Sequence, residues 1–192
     1  PYRLDLPPTL RWVEVDYPHV IEFKGRELAN EKPRCQLERV KIDLADRTLR
    51  QEFLKSLNDS AKRILVITEG VVPYLTVDQA ATLADDLNAT PHIENWVVDY
   101  FSTEAMKMLS KSAMQERLGN APFQFFPADW FAFFKSHGWK QKQMRYLAEE
   151  GLKTGRTMPL PWIYRMIMRF FVSGARKQAG TRWSGYALME RT

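Results

Sequence analysis

The sequence predicts an α/β fold in which a parallel β-sheet carries helices on both faces. Short apolar runs alternate with amphipathic segments along most of the 192 residues, and this alternation is typical of strand–helix–strand units. The clearest example is a β-branched run that ends abruptly at Glu69 and is followed by Gly70 and Tyr74. A buried parallel strand that presents a ligand-binding carboxylate at its carboxyl end has this pattern.

Each element has its own local signal. Short runs rich in β-branched and apolar residues predict six strands, at residues 11–16, 38–44, 63–68, 95–100, 139–147 and 185–190. Apolar residues at helical spacing predict helices at residues 19–29, 48–57 and 129–137, and a further helix begins after Thr76 as its N-cap. The least regular segment, residues 151–184, lies between the last two strands, and an insertion of this length is expected to cover a site or to dock a partner.

Composition excludes several classes of protein. Apolar residues make up 45% of the chain, which excludes a disordered protein. The formal net charge is +5, but no zinc spacing or RNA-binding motif accompanies it, so nucleic acid is not the expected partner. Cys35 is the only cysteine, which excludes an internal disulfide, leaves no metal site to predict and fits a reducing, cytoplasmic compartment. No segment is long and apolar enough to cross a membrane.

Three acidic residues, Asp16, Asp43 and Glu69, follow successive predicted strands. In an open parallel sheet the ligand binds outside the carboxyl ends of the strands, so one ligand could contact all three. A carboxylate in the position of Asp16 can accept the hydroxyls of a ribose, with Glu14 as the alternative on the same face. Asp43 could accept from an adenine amino group while Leu44 packs on the ring, and Glu69 could pair with an ammonium group. Each acid could instead cap a helix or be solvated.

Seven short stretches of this sequence match those of a known family in their order and spacing. They are Pro1–Leu4, Val13–Pro18 followed by Lys24, Ile42–Leu44, Ile67–Gly70 with Tyr74 and Leu75, Gly138–Trp139, residues 147–161, and Gly185–Arg191. With these stretches the chain resembles the leucine carboxyl methyltransferase family, in particular its bacterial branch of S-adenosylmethionine-dependent O-methyltransferases. No single motif is decisive, but together they extend over essentially the whole chain.

The resemblance implies a Rossmann-like class I methyltransferase sheet, mostly parallel with an antiparallel last strand, in a single domain over residues 1–192. The family's first strand and glycine-rich loop would come before Pro1 and are missing from this sequence. We therefore expect an N-terminally incomplete domain with two unpaired strand edges and exposed apolar faces.

The resemblance also implies S-adenosylmethionine as the cofactor. By position in the family pattern, Asp16 would hold the ribose, Asp43 and Leu44 the adenine, and Glu69 with Gly70 the methionine portion. Tyr74 would line the pocket near the sulfonium and position the substrate, with no catalytic base assigned.

The expected reaction transfers a methyl group to an oxygen of a small molecule or peptide. A carboxylate acceptor, with a reference pKa of about 4, is already ionised and needs no base, which agrees with the lack of an obvious base in the sequence. A hydroxyl acceptor would need one, and the candidates are His19, His92 and His137, of which His137 is expected to cap a helix. The alternative function is a non-catalytic binding or interaction module with the same fold.

The acceptor is expected to lie between Tyr74 and the segment 151–184, with Trp162 and Arg165 as tentative substrate contacts. This apolar and basic segment could act as a lid, pack in the core or lie on a membrane surface. A second aromatic cluster could form part of the core or line the acceptor pocket; its members are Phe123, Phe125, Phe126, Trp130 and Phe131.

Overall fold

The computed structural model describes residues 1–109, 122–156 and 182–192, and these residues separate into two compact units, Pro1–Leu57 and Asn58–Thr192. The predicted α/β class and the order of strands and helices are confirmed. The interpretation of residues 1–192 as one domain stays a prediction. In the described part of the chain, no helix has the length and hydropathy needed to span a membrane.

The first unit is built around a pair of parallel strands, β1 (Arg11–Asp16) and β2 (Gln36–Lys41). Helix α1 (Pro18–Glu27) connects them, and its proline in the first turn favours a helix start at this point because that position needs no amide donor. Helix α2 (Arg47–Ser60) begins in the same unit.

Strand β2 ends earlier than the sequence predicts. Residues 42–44 were expected to be extended, but the strand stops at Lys41. The side chain of Asp43 accepts a hydrogen bond from the backbone amide of Ala45 at 2.8 Å. This local turn competes with strand pairing, so the chain leaves the sheet before Asp43.

The second unit contains four strands and four helices within its described residues. In chain order they are β3 (Ile64–Thr68), α3 (Val77–Asn88), β4 (Ile93–Phe101), α4 (Thr103–Leu109), α5 (Trp130–Ser136), β5 (Trp139–Tyr146), α6 (Leu147–Thr154) and β6 (Ser184–Arg191). A short 3₁₀ turn, Val72–Tyr74, follows β3. Thr76 caps α3 as predicted, in a reciprocal capping box with Gln79.

The four strands of this unit lie in the order β3-β4-β6-β5. Strands β3 and β4 are parallel, whereas β6 runs antiparallel to both β4 and β5. Three strands therefore share one direction and the last strand in sequence opposes them, which confirms the predicted sheet with an antiparallel last strand.

Tryptophan side chains hold the sheet to the helices beside it. Trp96 of β4 is fully buried, meets the rings of Phe134 and Trp139 edge-on, and donates a hydrogen bond of 2.9 Å to the hydroxyl of Thr68. Trp139 donates at 2.9 Å to the carbonyl oxygen of Ala84 in α3. Both indole N–H groups are thus satisfied inside the core, so burying them costs little.

Four strands have an unpaired edge among the described residues: β1 and β2 pair only with each other, β3 pairs only with β4, and β5 pairs only with β6. The expectation that a missing strand exposes two such edges stays a prediction. On β3 the side chains of Leu65 and Ile67 are 57% and 49% exposed. An apolar strand with a free edge is a template for pairing with another strand.

Candidate functional site

The most unusual polar group of the second unit is the carboxyl group of Asp99, near the end of β4. Asp99 is only 8% exposed. Its Oδ2 accepts a hydrogen bond of 2.9 Å from the backbone amide of Gly70, whereas its buried Oδ1 has no partner among the described residues. A buried polar atom without a partner costs roughly 1–3 kcal/mol, and such atoms are typical of sites that a ligand, an ion or an ordered water completes.

The surroundings of Asp99 raise its pKa above that of an exposed aspartate. Burial raises the pKa of Asp99 to about 6, and the backbone amides of Gly70 and of Asp99 itself oppose this rise. The nearby carboxylate of Glu69 also raises the pKa of Asp99. A carboxylate with such a pKa is ionised at neutral pH and is a stronger base than an ordinary aspartate.

Glu69 lies directly after β3 and is held by a residue of a distant part of the chain. Its Oε1 accepts a hydrogen bond of 2.8 Å from the hydroxyl of Tyr186 in β6. Burial, together with the charge and hydrogen bond of Glu69, raises the pKa of Tyr186 to about 12, so the hydroxyl stays a donor. Glu69 is exposed, and its second oxygen has no partner among the described residues.

Gly70 makes the turn that brings the two carboxylates together. Its φ of +64° lies in the left-handed region, which glycine adopts at little cost. Nothing lies within 4 Å of the position that a Cβ would occupy. Backbone conformation, and not crowding, therefore requires glycine here, and the turn directs the Gly70 amide to Asp99.

A cavity of about 310 Å³ adjoins this turn. It is mostly apolar, with a small number of polar groups, as is typical of small-molecule sites. The lining residues include Asp99, Phe101, Lys107, Phe125, Phe126 and Trp130.

The aromatic cluster predicted from the sequence reaches this cavity. Phe125 and Trp130 are buried and also line it, so both alternatives, core and pocket, apply to the same side chains. The carbonyl oxygen of Pro73 accepts hydrogen bonds from the amides of Gln124 and Phe125 at 2.8 and 3.2 Å. The turn after Glu69 is therefore fixed to the aromatic segment.

Tyr74 lies beside the cavity wall and not within its lining. Its ring stacks on that of Phe123 with centroids 5.0 Å apart, and its carbonyl oxygen accepts from the side chain of Gln124 at 3.0 Å. The predicted role of Tyr74 in positioning a substrate stays a prediction.

Neither histidine of the second unit is available as a base in the cavity. His137 ends α5, as expected, and its Nδ1 lies 2.7 Å from Oδ1 of Asp85. The Nδ1 of His92 lies 2.9 Å from the carbonyl oxygen of Asn58. Neither side chain lines the cavity, and His19 belongs to the first unit.

Asp16, in the first unit, has structural partners for both of its oxygens. Its Oδ1 accepts from the amide of Tyr17 at 2.9 Å, and its Oδ2 pairs with Lys24 at 3.3 Å. The alternative residue, Glu14, accepts from Arg39 at 3.0 Å. Both acids thus have partners within the first unit, and their role at a ribose stays a prediction.

Asp43 and Leu44 lie in the loop after β2. One oxygen of Asp43 is used in the turn to Ala45, and the carbonyl oxygen of Leu44 accepts from the guanidinium of Arg50. Burial, with Asp43 as a neighbouring charge and hydrogen-bond acceptor, raises the pKa of Tyr17. Both predicted adenine contacts, Asp43 and Leu44, are half-buried, and each is held by a hydrogen bond to a nearby residue of the same unit.

Of the predicted site residues, Asp16, Asp43 and Leu44 lie in the first unit, and Glu69, Gly70 and Tyr74 lie in the second. Glu69 and Gly70 adjoin two groups that the sequence analysis missed, Asp99 and Tyr186. Asp99 had a detectable signal, since it follows the apolar run Trp96–Val98 and is a fourth acid near a strand end. Tyr186 had none, because it lies 117 residues from Glu69. The tentative substrate contacts Trp162 and Arg165 fall outside the described residues.

Comparison with known sequences supports the family resemblance over the N-terminal part. Residues 1–88 match the family model described as "Leucine carboxyl methyltransferase". A protein of Mycobacteroides abscessus named "Putative S-adenosyl-L-methionine-dependent methyltransferase" is 36% identical over 90 residues, which are 45% of this chain and 28% of that protein. A similarly named protein of Frankia alni is 25% identical over 176 residues, which are 83% of this chain and 58% of that protein. The chain thus spans less than two thirds of the length of these relatives.

Solved structures share the fold at low sequence identity. A DUF574 family protein from Streptomyces avermitilis has a TM-score of 0.57 and 10% identity, over 96% of this chain and 66% of that one. A structure described as a putative methyltransferase from Thermobifida fusca has a TM-score of 0.55 and 14% identity, over 95% and 63%. LepI in complex with SAM has a TM-score of 0.51 and 8% identity, over 98% and 37%. These likenesses show a class I methyltransferase fold.

Proposed function

We propose that this chain is part of an S-adenosylmethionine-dependent O-methyltransferase. The premise is that residues 1–88 match the model of the leucine carboxyl methyltransferase family. The acceptor is an oxygen of a small molecule or peptide. The observation that carries the proposal is the pair of carboxylates, Glu69 and Asp99: the amide of Gly70, next to Glu69, donates to Asp99, and Asp99 also lines an apolar cavity. The lone Cys35 supports a reducing, cytoplasmic setting for this reaction.

Glu69 and Gly70 fit the methionine portion of the cofactor. Tyr186 fixes one oxygen of Glu69, and the other oxygen is available to an ammonium group, for which a charge-assisted hydrogen bond gives both affinity and orientation. The open space at the Cα of Gly70 lets the backbone approach a ligand closely. When bound, S-adenosylmethionine supplies a methyl group on a positively charged sulfur.

The adenosine contacts are proposed for the first unit, with Asp16 on the ribose and Asp43 with Leu44 on the adenine. The family model covers all three residues. A ribose hydroxyl would replace Lys24 at Asp16, and this replacement costs little because the ion pair is partly exposed. Asp43 accepts from Ala45 in its local turn and interacts with Tyr17, so an adenine amino group would share or replace the contact with Tyr17.

The chain's own residues contribute position and exclusion of water. Methyl transfer from a sulfonium is an in-line displacement, so aligning donor and acceptor supplies much of the rate. The aromatic lining of the cavity, with Tyr74 stacked behind it on Phe123, would exclude water from the acceptor. Segment 151–184, with Trp162 and Arg165, is proposed to complete the acceptor side.

A non-catalytic binding module is the second candidate. One observation favours it: both oxygens of Asp16 are already engaged by groups of the protein itself. A module of this kind would keep the fold without binding the cofactor.

Calorimetric titration of the full-length protein with S-adenosylhomocysteine separates the two candidates. We expect measurable binding, and we expect Glu69→Ala to weaken it by at least about tenfold, since a charge-assisted hydrogen bond is lost. The matched control is Glu94→Ala, which removes an exposed carboxylate of β4 that pairs with Arg63 and should leave affinity unchanged. No binding by the intact protein would favour the non-catalytic module, and equal losses in both variants would refute the role of Glu69.

A further inference from the structure

The cavity beside Gly70 contains one feature that restricts what it can hold. Its lining residues are largely aromatic and aliphatic, yet they include Asp99. One oxygen of its carboxyl group is tied to the Gly70 amide at 2.9 Å, and the other is buried without a partner among the described residues. An ionised carboxylate only accepts hydrogen bonds, so a ligand that satisfies this oxygen must bring a donor.

A carboxylate ligand is disfavoured at this position by charge. It would lie against Asp99, whose unpaired oxygen is negative, and close to Glu69, whose charge already acts on Asp99. Like charges at short distance in a site of low dielectric constant repel strongly. The cation among the described lining residues, Lys107, is exposed and its charge also acts on Glu104 on the same helix, so it offsets this repulsion only in part.

We propose that the cavity is the acceptor subsite and that it takes an aromatic molecule that presents a hydroxyl group to Oδ1 of Asp99. The inference rests on the proposed function and deepens it, because it assigns the acceptor to the hydroxyl class. The volume of about 310 Å³ suits a compact aromatic ligand, and rings such as those of Phe125 and Trp130 favour stacked or edge-on contact with it.

Asp99 would act as the base in the transfer. The hydroxyl oxygen forms a bond to the methyl carbon as the carbon–sulfur bond breaks and its electron pair goes to the sulfur. The hydroxyl proton passes to Oδ1 of Asp99 and later to solvent, while Oδ2 keeps its hydrogen bond to Gly70. The raised pKa of Asp99, about 6, supports this role, because the group is ionised at neutral pH and holds a proton better than an exposed aspartate does.

The test compares two probes of similar shape, 2-naphthol and 2-naphthoate, by calorimetry with the full-length protein saturated with S-adenosylhomocysteine. We expect 2-naphthol to bind about tenfold or more tightly than 2-naphthoate, since one forms a hydrogen bond to a charged group and the other is repelled. Equal or tighter binding of 2-naphthoate would overturn the proposal. This comparison uses the unaltered protein and does not depend on a variant.

The variant Asp99→Asn then identifies the group responsible. Its carbonyl oxygen can still accept from Gly70, but its amide nitrogen would replace the acceptor at Oδ1. We expect the affinity for 2-naphthol to fall about tenfold, while the affinity for S-adenosylhomocysteine stays nearly constant. Glu104→Gln, which removes an exposed charge close to the cavity, is the control and should leave both affinities unchanged. Unchanged affinity of Asp99→Asn for 2-naphthol would refute the assignment.

The same titrations without S-adenosylhomocysteine separate this inference from the proposed function. The protein could fail to bind S-adenosylhomocysteine but bind 2-naphthol more tightly than 2-naphthoate, with this difference lost in Asp99→Asn. That result would overturn the proposed function and keep the cavity's preference for a hydroxyl. A protein that binds S-adenosylhomocysteine and prefers 2-naphthoate would keep the function and overturn the hydroxyl assignment.

Discussion

Tyr186 donates a hydrogen bond of 2.8 Å to Glu69 and thereby links two strands that are not neighbours in the sheet. Glu69 follows β3, Tyr186 belongs to β6, and β4 lies between these strands. The contact therefore spans the width of β4 next to Asp99, which pairs with Tyr186 in the sheet. It keeps the Glu69 carboxylate at a defined position even though that side chain is exposed.

Removing this hydroxyl should weaken cofactor binding without removing the carboxylate. We expect Tyr186→Phe to lower the affinity for S-adenosylhomocysteine about threefold to tenfold, because the hydrogen bond that orients the Glu69 carboxylate is lost. Calorimetry of the full-length protein measures this change. In the double variant with Glu69→Ala the effect of Tyr186→Phe should disappear; a persistent effect would mean that Tyr186 does not act through Glu69.

Asp99 should make the stability of the protein depend on pH. Its pKa rises from 3.8 to about 6 on folding, so the folded protein binds this proton more tightly than the unfolded chain. The stabilising contribution of protonated Asp99 is therefore fully present below pH 4 and is lost as pH rises to about 6. Over this range the free energy of unfolding should fall by about 3 kcal/mol. Urea denaturation of the wild-type protein and of Asp99→Asn between pH 4 and 7.5 measures it. The difference between the two proteins should change over this range; a constant difference would contradict the raised pKa.

Gly70 should be intolerant of any side chain, although space is available for one. We expect Gly70→Ala to reduce the free energy of unfolding by about 1–2 kcal/mol, because φ is +64° and alanine is strained there. Gly25 in α1 is the matched control, since a Cβ there also meets nothing within 4 Å. Gly25→Ala should stabilise by roughly 0.5–1 kcal/mol through helix propensity. Equal effects in the two variants, measured by chemical denaturation, would show that backbone conformation is not the cause.

The unpaired edge of β3 should promote self-association of the 192-residue chain. Its sequence, Ile64–Thr68, contains no charge and no proline, and Leu65 and Ile67 are exposed, which is typical of segments that pair between molecules. We expect Ile67→Lys to raise the concentration at which light scattering detects oligomers. Val77→Lys adds the same charge at an exposed apolar position on α3. If both variants have the same effect, net charge and not the strand edge is responsible.

The alternating pattern of strands and helices could be predicted from the sequence because each element carries a local signal. Thr76 and Asp129 show this well, since both were expected at helix starts and both accept a hydrogen bond from the amide three residues later. The early end of β2 was not predicted. The turn at Asp43 depends on a side-chain-to-backbone bond, which competes with an otherwise favourable run of apolar residues.

The candidate site was predicted less completely than the fold. Glu69 and Gly70 stand out because a charge and a glycine interrupt an apolar strand. Asp99 also follows an apolar run, but its signal is weaker, since β4 continues through Tyr100 and Phe101 after the acid. Its partner, Gly70, lies 29 residues away, and local sequence patterns carry no information about contacts over that distance. Burial alone makes Asp99 unusual, and burial is a property of the folded chain.

The position of β6 between β4 and β5 has a consequence for biosynthesis. β6 follows the other strands in sequence, so β4 has no second neighbour until residues 184–191 have left the ribosome. Until then β4 and β5 present free edges, and both the donor to Glu69 and the strand that joins the two halves of this sheet are absent. Contacts over such sequence separations form slowly, which makes the nascent chain dependent on protection of these edges until the last strand is inserted.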